Sequence, residues 1–224
     1  MNKIIDELHN AALITVTEVS SEEEALMTAD TLLAGGVRAM EIAFRNPQTF
    51  EQSEKAISAV RKSRPEMLVG GATILNPELA RRAWNAGAQF LLTAGFNPST
   101  VDYCVKNGVT LIPGLCTPGE IERALEAGIE TVKFFPANAM GGTAMLKALS
   151  GPYPNVGFVV SGGLNAENAA DYLELKNVTA LSGSWVTPKQ LIKSGNFAEI
   201  RNLAQEAAKI IAQFRSPAAE NPRA

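Results

Sequence analysis

Short apolar or β-branched runs alternate with longer stretches of helical periodicity along almost the whole chain. A short run of this kind, bounded by turn residues, is typical of a strand that is buried on both faces. The runs that predict strands are Leu13–Thr17, Ala39–Phe44, Met67–Ala72, Phe90–Thr93, Thr110–Pro113, Thr131–Phe134, Gly157–Val160 and Thr179–Gly183.

Capping residues predict where the intervening helices begin and end. Ser20 or Ser21 precedes three glutamates, Asn76 precedes a proline, and Thr117 can form a capping box with Glu120. Phe197–Phe214 is amphipathic and predicts a final helix. Helix ends with a glycine suited to a left-handed C-cap occur in Ala34–Val37, Ala86–Ala88, Asn107–Val109 and Ala127–Ile129.

The alternation of strand and helix with short connections predicts a parallel sheet with right-handed crossovers. Eight such units favour closure into a barrel, and 224 residues suit one barrel of this kind. An open doubly wound sheet is the alternative. We therefore predict the α/β class: a single (β/α)₈ TIM barrel with an N-terminal and a C-terminal helix. Residues 1–215 form the predicted domain, and 216–224 a flexible C-terminal tail.

Composition narrows the choice of partner and compartment. The net charge is −3 with no basic run, which argues against nucleic acid or an anionic membrane surface as a partner. No apolar run approaches the roughly 18 residues that a membrane helix needs, and acids interrupt the first apolar stretch, unlike a signal peptide. Cys104 and Cys116 match no zinc motif and are interpreted as reduced thiols. We expect a cytoplasmic protein that acts on a small molecule.

Charged residues stand out in the second predicted strand. Active sites of parallel barrels lie at the C-terminal ends of the strands. Strand alternation puts Glu41, Ala43 and Arg45 on one face, so both charges point into the cavity if that face is the interior. A structural ion pair or two exposed edge residues is the alternative. A charge inside an apolar strand is costly to bury, which favours a functional interpretation.

Lys133 lies between Val132 and two phenylalanines in the sixth predicted strand. Burial lowers the pKa of a lysine from about 10.4, and a neutral amine can attack a ketone. A surface lysine whose stem packs on apolar neighbours explains the segment as well. A neighbouring Glu41 would favour the catalytic interpretation, because formation of a Schiff base needs a proton carrier.

Small polar turns follow several of the strands. The last two strands run into Ser161-Gly162-Gly163 and Ser182-Gly183-Ser184, which can turn backbone N–H groups toward an anion or be ordinary turns. Thr73 ends the third strand, where it can donate to a carboxylate or simply precede a helix. The sole histidine, His9, falls in the first helix and is predicted to be a surface residue. Chemistry at this barrel mouth therefore depends on carboxylate and amine groups.

Six ordered segments resemble one family, that of the 2-keto-3-deoxy-6-phosphogluconate (KDPG) and 2-keto-4-hydroxyglutarate (KHG) aldolases. The resemblance implies a (β/α)₈ fold, usually as a homotrimer, and class I aldol chemistry without a metal or cofactor. The similar segments are Ala34–Arg45, Gly71–Pro77, Leu111–Gly114, Val132–Ala137, Gly162–Leu164 and Gly183–Trp185.

The resemblance also implies roles for individual residues. Lys133 matches the lysine that forms the Schiff base, and Glu41 matches the general acid/base. Arg45 and Thr73 match positions that hold the pyruvate carboxylate. The other implied substrate-binding residues are Pro113, Phe135, and, around a substrate phosphate, Ser161, Gly162, Gly163 and Ser184.

The implied reaction is cleavage of KDPG to pyruvate and glyceraldehyde 3-phosphate. Alternatives are KHG or another, unphosphorylated 2-keto-3-deoxy acid as substrate, an isomerase or epimerase on a phosphate-binding barrel, and a non-catalytic relative. Four departures from the family pattern bear on the substrate. Glu18 replaces a basic residue and would repel a phosphate if it faces the site, Ala94 replaces a proline, Ser182 replaces a glycine, and Gly71-Ala72 reverses the common order.

Overall fold

A computed structural model describes residues 2–215 of the chain. The strands are β1 (Leu13–Thr17), β2 (Ala39–Ala43), β3 (Leu68–Ala72), β4 (Leu91–Leu92), β5 (Leu111–Ile112), β6 (Gly114–Leu115), β7 (Thr131–Phe134), β8 (Gly157–Ser161) and β9 (Val178–Gly183). The α-helices are α1 (Lys3–Ala11), α2 (Glu22–Ala34), α3 (Phe50–Ser63), α4 (Pro77–Asn85), α5 (Pro98–Lys106), α6 (Pro118–Glu126), α7 (Gly142–Ser150), α8 (Ala169–Leu173), α9 (Lys189–Lys193) and α10 (Phe197–Ala212). Short 3₁₀ turns occupy Pro47–Thr49 and Asn138–Met140.

All strand pairs are parallel, in the order β5-β4-β3-β2-β1-β9-β8-β7-β6. The two ends of this order, β5 and β6, are separated along the chain by Pro113 alone. The sheet therefore curls round until its ends meet at one residue, which makes a nearly closed (β/α)₈ barrel. The predicted barrel is confirmed, and the open doubly wound alternative is wrong.

The fifth predicted strand, Thr110–Pro113, differs from the structure. It divides into β5, which pairs with β4, and β6, which pairs with β7. Pro113 has no N–H to give to a ladder, which accounts for the interruption. Gly114 N–H donates instead to Thr93 Oγ1 at 2.8 Å, and a Cβ on Gly114 would collide with the backbone of Ala94. The two ends of the sheet are thus joined at a proline followed by a glycine.

Two apolar layers lie on opposite sides of the sheet. The outer layer lies between strands and helices and includes Met40, Ile42 and Phe44 of β2 and its end. The inner layer fills the lower barrel, where α1 closes the N-terminal end with Leu8. Alternation therefore sends Ala39, Glu41 and Ala43 inward, as the sequence predicts. The inner layer consists of Leu8, Ile14, Ala39, Phe90, Leu92, Ile112, Val159 and Ala180.

The predicted helix boundaries agree closely with the structure. Ser21 and Asn76 accept hydrogen bonds from the N–H groups of Glu24 and Leu79, and Thr117 forms the predicted capping box. The final helix ends at Ala212, before the predicted Phe214. The predicted tail, 216–224, lies outside the described residues. The C-cap glycines with positive φ are Gly36, Gly87, Gly108 and Gly128. No helix in the described part of the chain is long and apolar enough to cross a membrane.

Candidate active site

A polar layer lies directly above the inner apolar layer, toward the C-terminal ends of the strands. Three of its members lie two positions after an inner apolar residue of the same strand: Glu41 after Ala39, Ser161 after Val159, and Ser182 after Ala180. Lys133 joins them from β7, in register with Val159. Glu41 is fully buried, and Lys133 is only 7% exposed. The structure thus brings together the acid and the amine that the sequence singles out.

The Glu41 carboxyl group is held in a low-dielectric environment. Burial raises its pKa above the ordinary value, although the charges of Lys133 and Arg45 and a hydrogen bond from Ser182 oppose that rise. Ser182 Oγ donates to Oε1 at 3.2 Å, while Oε2 is buried and has no hydrogen-bond partner in the described residues. A buried carboxyl group with a raised pKa takes up a proton more readily than an exposed one, which suits a general acid/base.

The Lys133 amine experiences the complementary effect. Burial lowers its pKa, the charge of Arg45 lowers it further, and the charge of Glu41 opposes the change. Nζ lies 5.2 Å from the centre of the Phe135 ring, which is close enough for a cation–π contact when the amine is protonated. The described residues contain no ion pair between Lys133 and Glu41, so the two groups act on each other through space. A neutral amine and a nearby proton carrier are the components that Schiff-base chemistry requires.

Pro113 and Thr73 are notable in this site for their backbone atoms and backbone conformation. The Pro113 carbonyl accepts a hydrogen bond from Lys133 N–H at 2.8 Å, which fixes β7 against the closure of the barrel. Thr73 follows β3 and has φ 60°, in the left-handed region that β-branched residues avoid. Backbone strain of this kind concentrates at functional sites. The position of Thr73 is consistent with the binding role that the resemblance implies.

Arg45 lies outside the buried layer, in contrast to Glu41 on the same strand face. Its side chain is exposed and forms an ion pair with Glu18, whose second oxygen pairs with Lys189. Burial alone would raise the pKa of Glu18, but these two cations lower it. The three residues line a cavity of about 200 Å³ at the barrel mouth. Glu18 therefore does face the mouth, with its charge offset by two cations.

The glycine turn after β8 packs against the turn after β7. Gly162 and Gly163 have φ 101° and 79°, and a Cβ on Gly163 would lie 2.7 Å from Asn138 Nδ2. Asn138 Nδ2 donates to the Gly163 carbonyl at 2.6 Å, and Tyr172 Oη donates to Asn138 Oδ1 at 2.6 Å. Close approach thus explains both glycines structurally. Ser184, after β9, is exposed at the same end of the barrel.

A model of the family "KDPG and KHG aldolase" matches residues 4–203. The chain belongs to the KDPG and KHG aldolase family. The 2-dehydro-3-deoxy-phosphogluconate aldolase of Treponema pallidum is 42% identical over 94% of this chain and 99% of its own length. The KHG/KDPG aldolase of Escherichia coli K12 is 36% identical over 90% and 93%.

A solved aldolase of this family shares the fold closely. The KDPG aldolase of Legionella pneumophila is 34% identical, with a TM-score of 0.84 over 90% of this chain and 96% of its own. In that structure pyruvate is captured as a covalent carbinolamine intermediate. The chain is accordingly an aldolase, and the isomerase and non-catalytic alternatives are not supported.

Two features of this aldolase site go beyond the candidate residues from the sequence. Ser182 stands out in the sequence as part of a small polar turn and as a departure from a family glycine, yet its hydroxyl contacts Glu41. Lys189 follows the last turn, where nothing in the local pattern marks it as a partner of Glu18.

His9 is exposed on α1, as predicted, and burial raises the pKa of the Cys104 thiol to about 11. Among residues 2–215 no cluster of His, Cys, Asp or Glu could hold a metal ion.

Proposed function

We propose that this protein is a class I aldolase that reversibly cleaves a 2-keto-3-deoxy sugar acid, foremost KDPG, to pyruvate and an aldehyde. The aldehyde from KDPG is glyceraldehyde 3-phosphate. The observation that carries the proposal is the burial of Lys133 beside Glu41 in the polar layer of the barrel. The names of the relatives, which include KDPG and KHG substrates, support the same substrate class.

Lys133 supplies the covalent step. Its neutral amine attacks the C2 carbonyl of the keto acid to give a carbinolamine, which loses water to form an iminium ion. The iminium accepts the electron pair of the C3–C4 bond as that bond breaks. The C4 hydroxyl loses its proton and leaves as the aldehyde, and the enamine of pyruvate remains on Lys133. Protonation at C3 and hydrolysis then return pyruvate and the free amine.

Glu41 carries the protons of these steps. As an acid it protonates the hydroxyl that leaves the carbinolamine, and as a carboxylate it takes the proton from the C4 hydroxyl. Both forms must be accessible during the reaction, and burial, which raises the pKa of Glu41, favours the protonated form more than it would be favoured in an exposed carboxyl group. The positive charge of protonated Lys133 stabilises the ionised form of Glu41.

The remaining residues bind and orient the substrate in this proposal. Arg45 and Thr73 hold the keto-acid carboxylate, and Arg45 must release Glu18 to do so. Pro113 fixes Lys133 through its carbonyl, and Phe135 shields the amine. The residues that contact the far end of the substrate are Gly162, Gly163 and Ser184 at the mouth and Ser161 in the polar layer beneath them.

The experiment is an assay of pyruvate release from KDPG, KHG and unphosphorylated 2-keto-3-deoxygluconate. We expect the wild type to prefer KDPG and the Lys133→Met variant to release no pyruvate above background. Lys147→Met is the matched control, since Lys147 is exposed on α7 and should not affect the rate. Equal activity of Lys133→Met and the wild type would refute the proposal. Preference for KHG would change the proposed substrate from KDPG to KHG and leave the aldolase chemistry in place.

We also propose a homotrimer and a cytoplasmic location. The family resemblance supports the trimer, which light scattering would detect as a particle three times the 23.8 kDa chain. Two free cysteines, Cys104 and Cys116, support a reducing compartment. A monomer in solution would contradict the trimer, and fractionation of cells that express the protein tests the location.

A further inference from the structure

A short hydrogen-bonded chain of side chains crosses the barrel interior from β8 to β2. Ser182 Oγ lies 3.2 Å from Glu41 Oε1 and 3.4 Å from Ser161 Oγ. The exposed fractions are 0% for Glu41, 0% for Ser182 and 5% for Ser161. Because β1 separates β2 from β9 in the sheet, this contact depends on both side chains pointing inward.

The contact makes the two oxygens of Glu41 unequal. Within residues 2–215, Ser182 is the only hydrogen-bond donor to this carboxyl group, and it reaches Oε1. Oε2 is buried and receives no hydrogen bond from the described residues. Oε1 is thus fixed by the protein, which leaves Oε2 as the oxygen that exchanges protons with a bound substrate.

The paired hydroxyls can satisfy either state of the carboxyl group. A serine hydroxyl has one hydrogen to donate and two lone pairs to accept with. When Glu41 is ionised, Ser182 donates to Oε1 and accepts from Ser161. When Oε2 takes up the proton, Oε1 becomes the carbonyl oxygen of the acid and still accepts from Ser182. Neither state leaves Oε1 unpaired, and a buried unpaired polar atom is costly.

We propose that Ser182 is a positioning residue for proton transfer, which holds Glu41 Oε1 and, together with Ser161, keeps it hydrogen-bonded in both protonation states. The inference rests on the proposed function, because it gives Ser182 its effect through Glu41. It also gives a purpose to a side chain that stands where the family pattern has glycine.

Other charges act on Glu41 and must be kept constant in a test. They are Lys133 on β7 and Arg45 after β2, and both favour the ionised form, as the Ser182 hydrogen bond does. A substitution at Ser182 alone leaves them in place. A hydrogen bond to the ionised carboxylate is stronger than one to the neutral acid, so its removal costs the carboxylate more, and the pKa of Glu41 should rise further.

The test is the pH dependence of kcat for KDPG cleavage in Ser182→Ala, Ser182→Cys and Ser182→Gly. We expect kcat to fall about tenfold on the acid side in Ser182→Ala, the loss of one hydrogen bond to a charged group. The acid limb should move to higher pH while KM changes little. Ser182→Cys retains a weak donor and should fall between Ser182→Ala and the wild type.

Ser53→Ala is the matched control. Ser53 is a buried serine of α3, and its hydroxyl donates only to the carbonyl oxygens of Ala43 and Thr49. We expect its acid limb to coincide with that of the wild type. An equal shift in Ser53→Ala and Ser182→Ala would overturn the inference, because general loss of packing would then explain both. If Ser182→Ala does not fold, Ser182→Cys and Ser182→Gly decide by the same criterion.

Trapping of pyruvate on Lys133 by borohydride separates this inference from the proposed function. Absence of an adduct in the wild type would remove the proposed function itself. An adduct in both wild type and Ser182→Ala, with coincident pH profiles, would leave the aldolase chemistry intact and refute the role of Ser182. An adduct in both, with a shifted acid limb in Ser182→Ala alone, is the outcome that we expect.

Discussion

Replacement of Glu41 by glutamine should separate proton transfer from formation of the covalent complex. The substitution preserves size and the Ser182 hydrogen-bond partner but removes the ionisable group. Glu41 is the only buried carboxylate among residues 2–215, so no other acid of the described chain can replace it. Loss of a general acid/base reduces rates roughly 10²–10⁴-fold. We expect about a 10³-fold loss of kcat, or about 4 kcal/mol of transition-state stabilisation.

The pH dependence of pyruvate trapping provides a second readout. Glu41→Gln should lower kcat but should favour trapping at low pH. The negative charge of Glu41 raises the pKa of Lys133 against the larger lowering by burial. Without that charge the amine should stay neutral at lower pH, so the acid limb of trapping should move to lower pH. Because Glu41 also protonates the hydroxyl that leaves the carbinolamine, the adduct should form more slowly, but its amount at equilibrium at pH 8 should change little.

The assay measures pyruvate release for kcat and borohydride reduction of the pyruvate adduct across a pH series. Glu130→Gln is the control, since Glu130 is exposed and precedes β7 at the opposite end of the barrel. Equal loss of cleavage and of pyruvate binding in Glu41→Gln would refute the proton-transfer role. A move of the trapping limb to higher pH would refute the electrostatic reasoning.

Three further substitutions test the mouth and the barrel closure. Glu18→Gln should release Arg45 for the substrate and lower KM up to about fivefold with kcat unchanged, because an exposed ion pair contributes about 0.2–1 kcal/mol. Thr73→Gly should relieve the strain at φ 60° and stabilise the fold by about 1 kcal/mol, seen as a higher melting temperature, while KM rises. Gly114→Ala should destabilise by about 1–3 kcal/mol in chemical denaturation, whereas Gly119→Ala, with open space around it, should not.

Each of these expectations can fail in a distinct way. An unchanged KM in Glu18→Gln would mean that Glu18 does not compete for Arg45. A lower melting temperature in Thr73→Gly would show that its backbone is not strained. Equal stability of Gly114→Ala and Gly119→Ala would remove the steric account of the closure.

The barrel was predictable from the sequence because its signals are local. Strand runs, the caps at Asn76 and Thr117, and glycines such as Gly87 each specify their own segment, and the alternation of these segments specifies a parallel barrel. The break at Pro113 was not predicted. Pro113 interrupts the ladder because it lacks an N–H, but the change of partner from β4 to β7 also involves Gly114 meeting the backbone of Ala94, a contact between distant segments.

The candidate-site residues likewise divide into those that the sequence indicates and those whose role depends on contacts between distant segments. Glu41 and Lys133 could be singled out as candidates because a charge inside an apolar strand is unusual, but for Lys133 a surface position explained the segment as well, and the family resemblance favoured the catalytic role. Ser182 carries no such signal, since a serine beside a glycine reads as a turn. Its importance arises only when β9 and β2 face each other across the interior. The ion pairs of Glu18 with Arg45 and Lys189 could not be predicted either, because they join segments far apart in the chain.

Borohydride reduction in the presence of pyruvate, followed by peptide mass spectrometry, tests whether Lys133 forms the Schiff base. We expect a reduced pyruvate adduct on the peptide that contains Lys133, at a pH where an ordinary lysine, with a pKa of about 10.4, is protonated. The Lys133→Met variant should give no adduct, and Lys147→Met should give the wild-type amount. Absence of the adduct in the native protein, or its persistence in Lys133→Met, would contradict the account.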